Sequence, residues 1–158
     1  MIKVLFVCLG NICRSPMAEA VFRKLVEEEG LEKEIIADSA GIGHWHIGKG
    51  PHTGTRSILD ENKISYEGMT ARQVENLDWD RFDYIIAMDQ QNLTDLNAIR
   101  EKNDVEVQLF MDFVDHENEK DVPDPYFTGN FDYVYGLIQS GCQSLLEHIK
   151  QTKIKEEL

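Results

Sequence analysis

The chain has 158 residues, 42% of them hydrophobic and 28% charged, which suffices to bury the core of one domain spanning residues 1–158. Sixteen Lys and Arg against 29 Asp and Glu give a formal charge of -13. That balance excludes nucleic acid and anionic membrane surfaces as natural partners, because a phosphate backbone demands a basic face.

The first apolar run, residues 2–8 (Ile-Lys-Val-Leu-Phe-Val-Cys), predicts a buried strand. It is too short for a signal segment, and it runs into Gly10, Asn11 and Arg14 with no small-residue cleavage pattern. Ser15-Pro16 then opens a helix, since Pro is favoured at the first helical position, and Gly30 closes it. Further strands are predicted at 34–39, 83–88 and 105–111, and further helices at 53–62, 90–102 and 131–152. The β-α alternation implies an α/β fold with a mostly parallel sheet and helices on both faces. In the last helix Val134, Leu137, Ile138, Gly141, Cys142, Leu145, Leu146 and Ile149 form one apolar stripe, which makes Cys142 a packed core thiol. The acidic runs 27–29 and 117–121 read as solvated surface, and the charged tail 150–158 as a fraying helix end. No apolar stretch reaches the roughly 20 residues of a membrane span. Three cysteines make no disulfide framework and suit a reducing compartment. Cytoplasm is the expected location, with export lacking a signal left open.

The stretch Cys8-Leu9-Gly10-Asn11-Ile12-Cys13-Arg14-Ser15-Pro16 joins the first strand to the first helix, at the carboxyl edge where parallel sheets bind ligands. Successive backbone N–H groups and a helix N-terminus there make a cradle for a tetrahedral oxyanion. The same environment, with Arg14, stabilises a thiolate at Cys8 and makes it a nucleophile. The planar guanidinium of Arg14 can hold two phosphoryl oxygens at once. Gly10 and Asn11 tolerate left-handed backbone, and Ser15 can donate its hydroxyl to the thiolate. A cysteine and an arginine at this spacing also arise by chance, as an inert strand-end thiol and a surface cation. The strand before them and the helix start after them favour the functional assignment.

Departure of an alkoxide or phenoxide needs an acid. Val122-Pro123-Asp124-Pro125-Tyr126-Phe127 offers Asp124 in a stiff loop, although an Asp-Pro turn is common without any catalytic role. Tyr126 and Phe127 beside it could wall a pocket for an aryl leaving group.

Together, residues 8–16 and Asp124-Pro125-Tyr126 closely resemble the low-molecular-weight protein-tyrosine phosphatases. The resemblance runs along essentially the whole chain, through Asp38-Ser39-Ala40-Gly41, Ala71-Arg72-Gln73 and Ala87-Met88-Asp89, in a pattern that looks bacterial. It implies a four-stranded parallel sheet, a phosphocysteine intermediate on Cys8, Arg14 as phosphate clamp, Asp124 as acid and then base, and no metal or cofactor. The implied partner is a phosphotyrosine-containing protein. By position, Asn11, Ser15 and Ser39 would hold the loop in shape, Asp89 would be a supporting acid near it, and Leu9, Gly10, Ile12 and Cys13 would complete it. Many relatives carry a His two residues before the Ala of Ala-Arg-Gln; this chain has Met69 there.

Cys13 is a candidate redox partner for Cys8. Thioredoxin-coupled arsenate reductase resembles the family in fold but needs a cysteine relay, and none lies between Cys13 and Cys142. Phosphoarginine phosphatase resembles it more closely, with Thr where Ile12 stands; an apolar Ile12 offers no hydroxyl to a guanidino group and favours aryl phosphate. His44, Trp45, His46 and His52 include a His-x-His pair, but no carboxylate or cysteine stands at ligand spacing, so no metal is expected. By family position this segment is the pocket rim, with Trp45 facing the substrate ring.

Overall fold

The structure, a computed structural model, describes residues 1–100, 105–115 and 119–154. Four parallel strands, β1 (Ile2–Cys8), β2 (Ile35–Gly41), β3 (Tyr84–Ala87) and β4 (Glu106–Leu109), lie in the order β2-β1-β3-β4. The expected α/β class and four-stranded parallel sheet are thus observed. β1 is central and buried on both faces, so Val4, Leu5, Phe6 and Val7 form a continuous apolar run.

Helices α1 (Arg14–Glu28), α2 (Thr53–Glu61), α3 (Asp78–Arg81), α4 (Gln90–Ile99), α5 (Pro125–Thr128) and α6 (Phe131–Ile149) follow in chain order. α1 and α6 close one face over Val4 and Phe6. Trp79 of α3 and Leu96 of α4 pack with Leu5 and Val7 on the other. Each fully buried Leu, Phe or Val contributes about 1.5–3 kcal/mol, so β1 is the mechanical centre from which the loop after Cys8 departs.

Several boundaries differ from expectation for physical reasons. α1 begins at Arg14 with Cys13 at its cap position, so Pro16 is its third residue; proline is tolerated through the first turn, where its missing N–H costs nothing. Gly30, at φ 70°, ends the helix as expected. β2 runs on to Gly41 because Gly41 pairs with Cys8 at the end of β1. There a Cβ on Gly41 would stand 3.1 Å from both Gly10 C and Leu9 O; glycine permits the close approach of strand and loop.

β4 stops at Leu109, and Phe110–Phe113 form a 3₁₀ turn. Phe110 and Met111 are consecutive yet both pack into the α1/α6 side of the core, which a strand with alternating faces cannot arrange. α4 ends at Ile99, where Arg100 turns extended; the expected end at Lys102, and residues 117 and 118 of the acidic run, lie outside the described residues. In the rest of that run, expected as solvated surface, Lys120 is exposed while Glu119 and Asp121 are half-buried, the Asp121 carboxylate accepting from the Gln90 N–H. Past Ile149, α6 widens into a π-helical turn, Lys150–Ile154.

Cys142 sits in the α6 stripe, fully buried, its Sγ donating to Ala18 O at 3.6 Å. At the preceding residue, a Cβ on Gly141 would meet the Phe110 ring at 2.3 Å. Gly141→Ala gains about 1 kcal/mol of helix propensity but overpacks a rigid ring. The expected result is a net loss of about 1–2 kcal/mol in urea unfolding, with phosphatase activity per folded molecule unchanged.

Candidate active site

Cys8 ends β1, and the chain curls back beneath its sulfur. Asn11 takes the left-handed conformation at φ 57°, which lets its backbone N–H donate to Cys8 Sγ at 3.2 Å. Gly10 was expected to share that conformation and does not. It serves through space, since a Cβ there would press on His46 Cδ2 at 3.0 Å.

Ser15 Oγ lies 3.0 Å from Cys8 Sγ. The direction of that bond follows from its neighbours: the Arg72 backbone N–H donates to Asn11 Oδ1 at 3.0 Å, which turns Asn11 Nδ2 to donate to Ser15 Oγ at 2.7 Å. With its oxygen so occupied, the Ser15 hydroxyl directs its own proton at the sulfur. Among the described residues no side chain caps the start of α1, so the helix brings unclaimed N–H groups to the same loop.

Arg14 is buried, 2% exposed. Its Nη1 donates to Asp89 Oδ2 at 2.6 Å and to Val122 O at 3.0 Å, while Nη2 reaches Asp124 Oδ2 at 3.4 Å. Nε has no partner among the described residues. Burial alone would lower the pKa of Arg14, but Cys8, Asp89 and Asp124 outweigh it and hold the guanidinium above its ordinary value. Asp89 also caps α4, accepting from Asn92 N at 2.7 Å, so one carboxylate fixes both a helix start and the arginine.

Asp124 caps α5, accepting from Tyr126 N at 3.1 Å. It lines a cavity of about 350 Å³ together with Cys8, Leu9, Gly10, Ile12, Cys13, Trp45, His46, Tyr126 and Phe127. Trp45 and Phe127 stand 59% and 74% exposed at its mouth, far more than a core would leave them. A larger groove of about 660 Å³ follows the β2 edge, but among the described residues no cysteine, serine or histidine lines it. Cys8 and Asp124 therefore meet in the smaller cavity.

Ser39 departs from expectation. Its hydroxyl donates to Glu19 Oε1 at 2.7 Å and not to the loop. The ionised form of that carboxyl, held by Arg23 at 2.5 Å, is the stronger acceptor, even though burial pushes the Glu19 pKa up. The support expected of Ser39 comes instead from the Arg72 peptide group. Arg72 is anchored by paired bonds to the buried Asp78, both at 3.0 Å, and by Asp38. The Ala71-Arg72-Gln73 signature was visible in the sequence; the carboxylates that hold it were not.

The histidines have structural positions. His52 caps α2, its Nδ1 accepting from Gly54 N at 3.0 Å, and its ring stacks on Phe131 at 5.3 Å. Its backbone N–H donates to Ile12 O at 2.7 Å, tying the rim to the loop. His46 and Tyr126 face each other at 6.3 Å. Among the described residues no group of three or more His, Cys, Asp or Glu side chains is placed to hold a metal ion. Cys8 and Cys13 are free thiols, and burial, with Asp124 and Cys8 nearby, pushes the Cys13 thiol up to about 12.

A cysteine and an arginine closing one anion loop at the carboxyl edge of a parallel sheet, with an aspartate facing them, define a class of cysteine-dependent phosphatases. The chain belongs to the family described as low molecular weight phosphotyrosine protein phosphatase, whose sequence model matches residues 3–155, and it is accordingly a phosphatase. It is 56% identical over 154 residues to the low molecular weight protein-tyrosine-phosphatase YfkJ of Bacillus subtilis, covering 97% of this chain and 99% of that one. To PtpA of Staphylococcus epidermidis it is 45% identical, with 99% of each chain covered. The crystal structure of YfkJ superposes with a TM-score of 0.94 over 97% of both chains. That of a Drosophila arginine phosphatase does so at 0.87, with 33% identity, over 94% of this chain and 98% of that one. Among the described residues, no helix is long and apolar enough to cross a membrane.

Proposed function

We propose that this phosphatase hydrolyses phosphotyrosine in proteins, with Cys8 as nucleophile, Arg14 as clamp and Asp124 as general acid and base. The observation that carries this is the position of Cys8 Sγ, held by Ser15 and Asn11 in a cavity that Asp124 and three aromatic rings also line. Cys8 attacks phosphorus and the aryl oxygen departs with the proton of Asp124, leaving a phosphocysteine. Asp124 then takes a proton from water, which attacks phosphorus and releases inorganic phosphate and the Cys8 thiolate. Arg14 Nε, without a partner among the described residues, is available to an equatorial oxygen, and charge spreading over those oxygens in the transition state strengthens that contact. No step uses a metal.

The apolar wall of Leu9, Ile12, Trp45 and Phe127 matches a flat aryl group and offers no partner to the N–H groups of a guanidino group. The test compares phosphotyrosine and phosphoarginine peptides at equal concentration, in EDTA. Wild type should cleave phosphotyrosine at least about tenfold faster in kcat/KM, the discrimination expected when buried donors go unpaired, and Ile12→Thr should narrow the ratio. Preference for phosphoarginine, or loss of activity in EDTA, would overturn the assignment.

A further inference from the structure

Asp124 sits on a short segment whose anchorage the catalytic scheme leaves unexplained. Two fastenings hold it against the carboxyl end of β3. Val122 N donates to Met88 O at 2.8 Å. Asp121 Oδ1 accepts from both the backbone N–H of Gln90 at 2.8 Å and its side-chain Nε2 at 3.3 Å. Gln90 is the first residue of α4, directly after Asp89, the carboxylate that grips Arg14. The same helix start therefore holds the arginine through Asp89 and the acid segment through Asp121.

The segment between Asp121 and Asp124 is stiff. Pro123 and Pro125 fix their own φ angles and restrict Val122 and Asp124 to extended backbone, and Asp124 stands at φ -87° and ψ 107°. Three residues span at most about 10 Å. A displacement at Asp121 is therefore passed on to the Asp124 carboxyl with little attenuation, and proton delivery is sensitive to misplacement of this order. Resting on the assignment of Asp124 as the acid, we infer that Asp121 is a positioning residue, clasping the acid segment to α4 so that Asp124 meets the leaving oxygen.

The readout is leaving-group dependence, which a purely structural cap would not move. p-Nitrophenolate departs readily without a proton, whereas phenolate, like the tyrosine phenolate, needs one. kcat/KM on p-nitrophenyl phosphate and on phenyl phosphate is measured for wild type and for Asp124→Ala, Asp121→Ala, Asp121→Asn and Gln90→Pro. Gln90→Pro removes both donors at a position where proline suits a helix, after a residue already extended at φ -147°. Asp121→Ala and Gln90→Pro should each lose about tenfold on phenyl phosphate and less than about threefold on p-nitrophenyl phosphate, a fraction of the effect of losing the acid. Asp121→Asn, which keeps an accepting oxygen, should stay near wild type. Equal losses on both substrates, no loss, or a selective loss in only one of the two clasp variants would overturn the inference. If Asp124→Ala itself shows no selectivity, the fault lies with the assignment of the acid and not with the clasp.

Discussion

Cys8→Ser should abolish turnover while leaving phosphate recognition in place, with kcat falling by roughly 10⁵–10⁶-fold, the scale seen when a catalytic nucleophile is removed. A serine hydroxyl in this loop is a poor nucleophile because the two groups bonded at that position, the Ser15 hydroxyl and the Asn11 N–H, are both donors and neither takes its proton. The variant is close in volume, and it keeps Arg14 and the open N–H groups at the start of α1. It should therefore bind inorganic phosphate and phosphotyrosine peptides at near wild-type affinity, measured by calorimetry, and show no product in a discontinuous phosphate assay. Residual hydrolysis above about one part in 10⁴ would point to a different nucleophile.

Arg14→Lys should cost roughly 10³-fold in kcat/KM, somewhat beyond the loss of one oxyanion donor. The guanidinium satisfies Asp89, Val122 O and Asp124 simultaneously and still has Nε to offer. A lysine keeps the charge but supplies one ammonium point, and it cannot span the carboxylates and a phosphoryl oxygen together. Because Asp89 and Asp124 would be left incompletely paired, the variant should also unfold at lower urea. Measuring the urea midpoint beside the kinetics separates the two effects: a lower midpoint with unchanged kcat/KM would make Arg14 structural only.

What was legible in the sequence followed from local signals. The apolar run of β1, the α6 stripe and the Cys-to-Arg loop are contiguous, and each carries its own physical signature. The start of α1 was misjudged by two residues because the rule for Pro at the first helical position says nothing of how a loop closes into a helix from Arg14. The 3₁₀ turn at Phe110 was hidden because an apolar run reads alike whether its residues alternate or share a face. α3 and α5 are too short to show a period. The contacts made across the fold were the least legible. Ser39 was expected on the loop and bonds Glu19, Arg72 turned out to orient Asn11, and Asp121 reaches Gln90 across 31 positions. Such pairings depend on strand order, which no local pattern encodes.

The scaffold beneath the Cys8 sulfur consists of a peptide N–H from Arg72, the Asn11 amide and the Ser15 hydroxyl, while Met69, and not a histidine, lines the small pocket beside Asn11 and Ser39. Peptide, amide and hydroxyl groups hold their protons from pH 5 to 7, the interval in which an imidazole changes charge. Acidification through that interval therefore leaves the bonds among the Arg72 peptide, Asn11 and Ser15 intact, so the relay that shapes the loop carries no group that changes charge there.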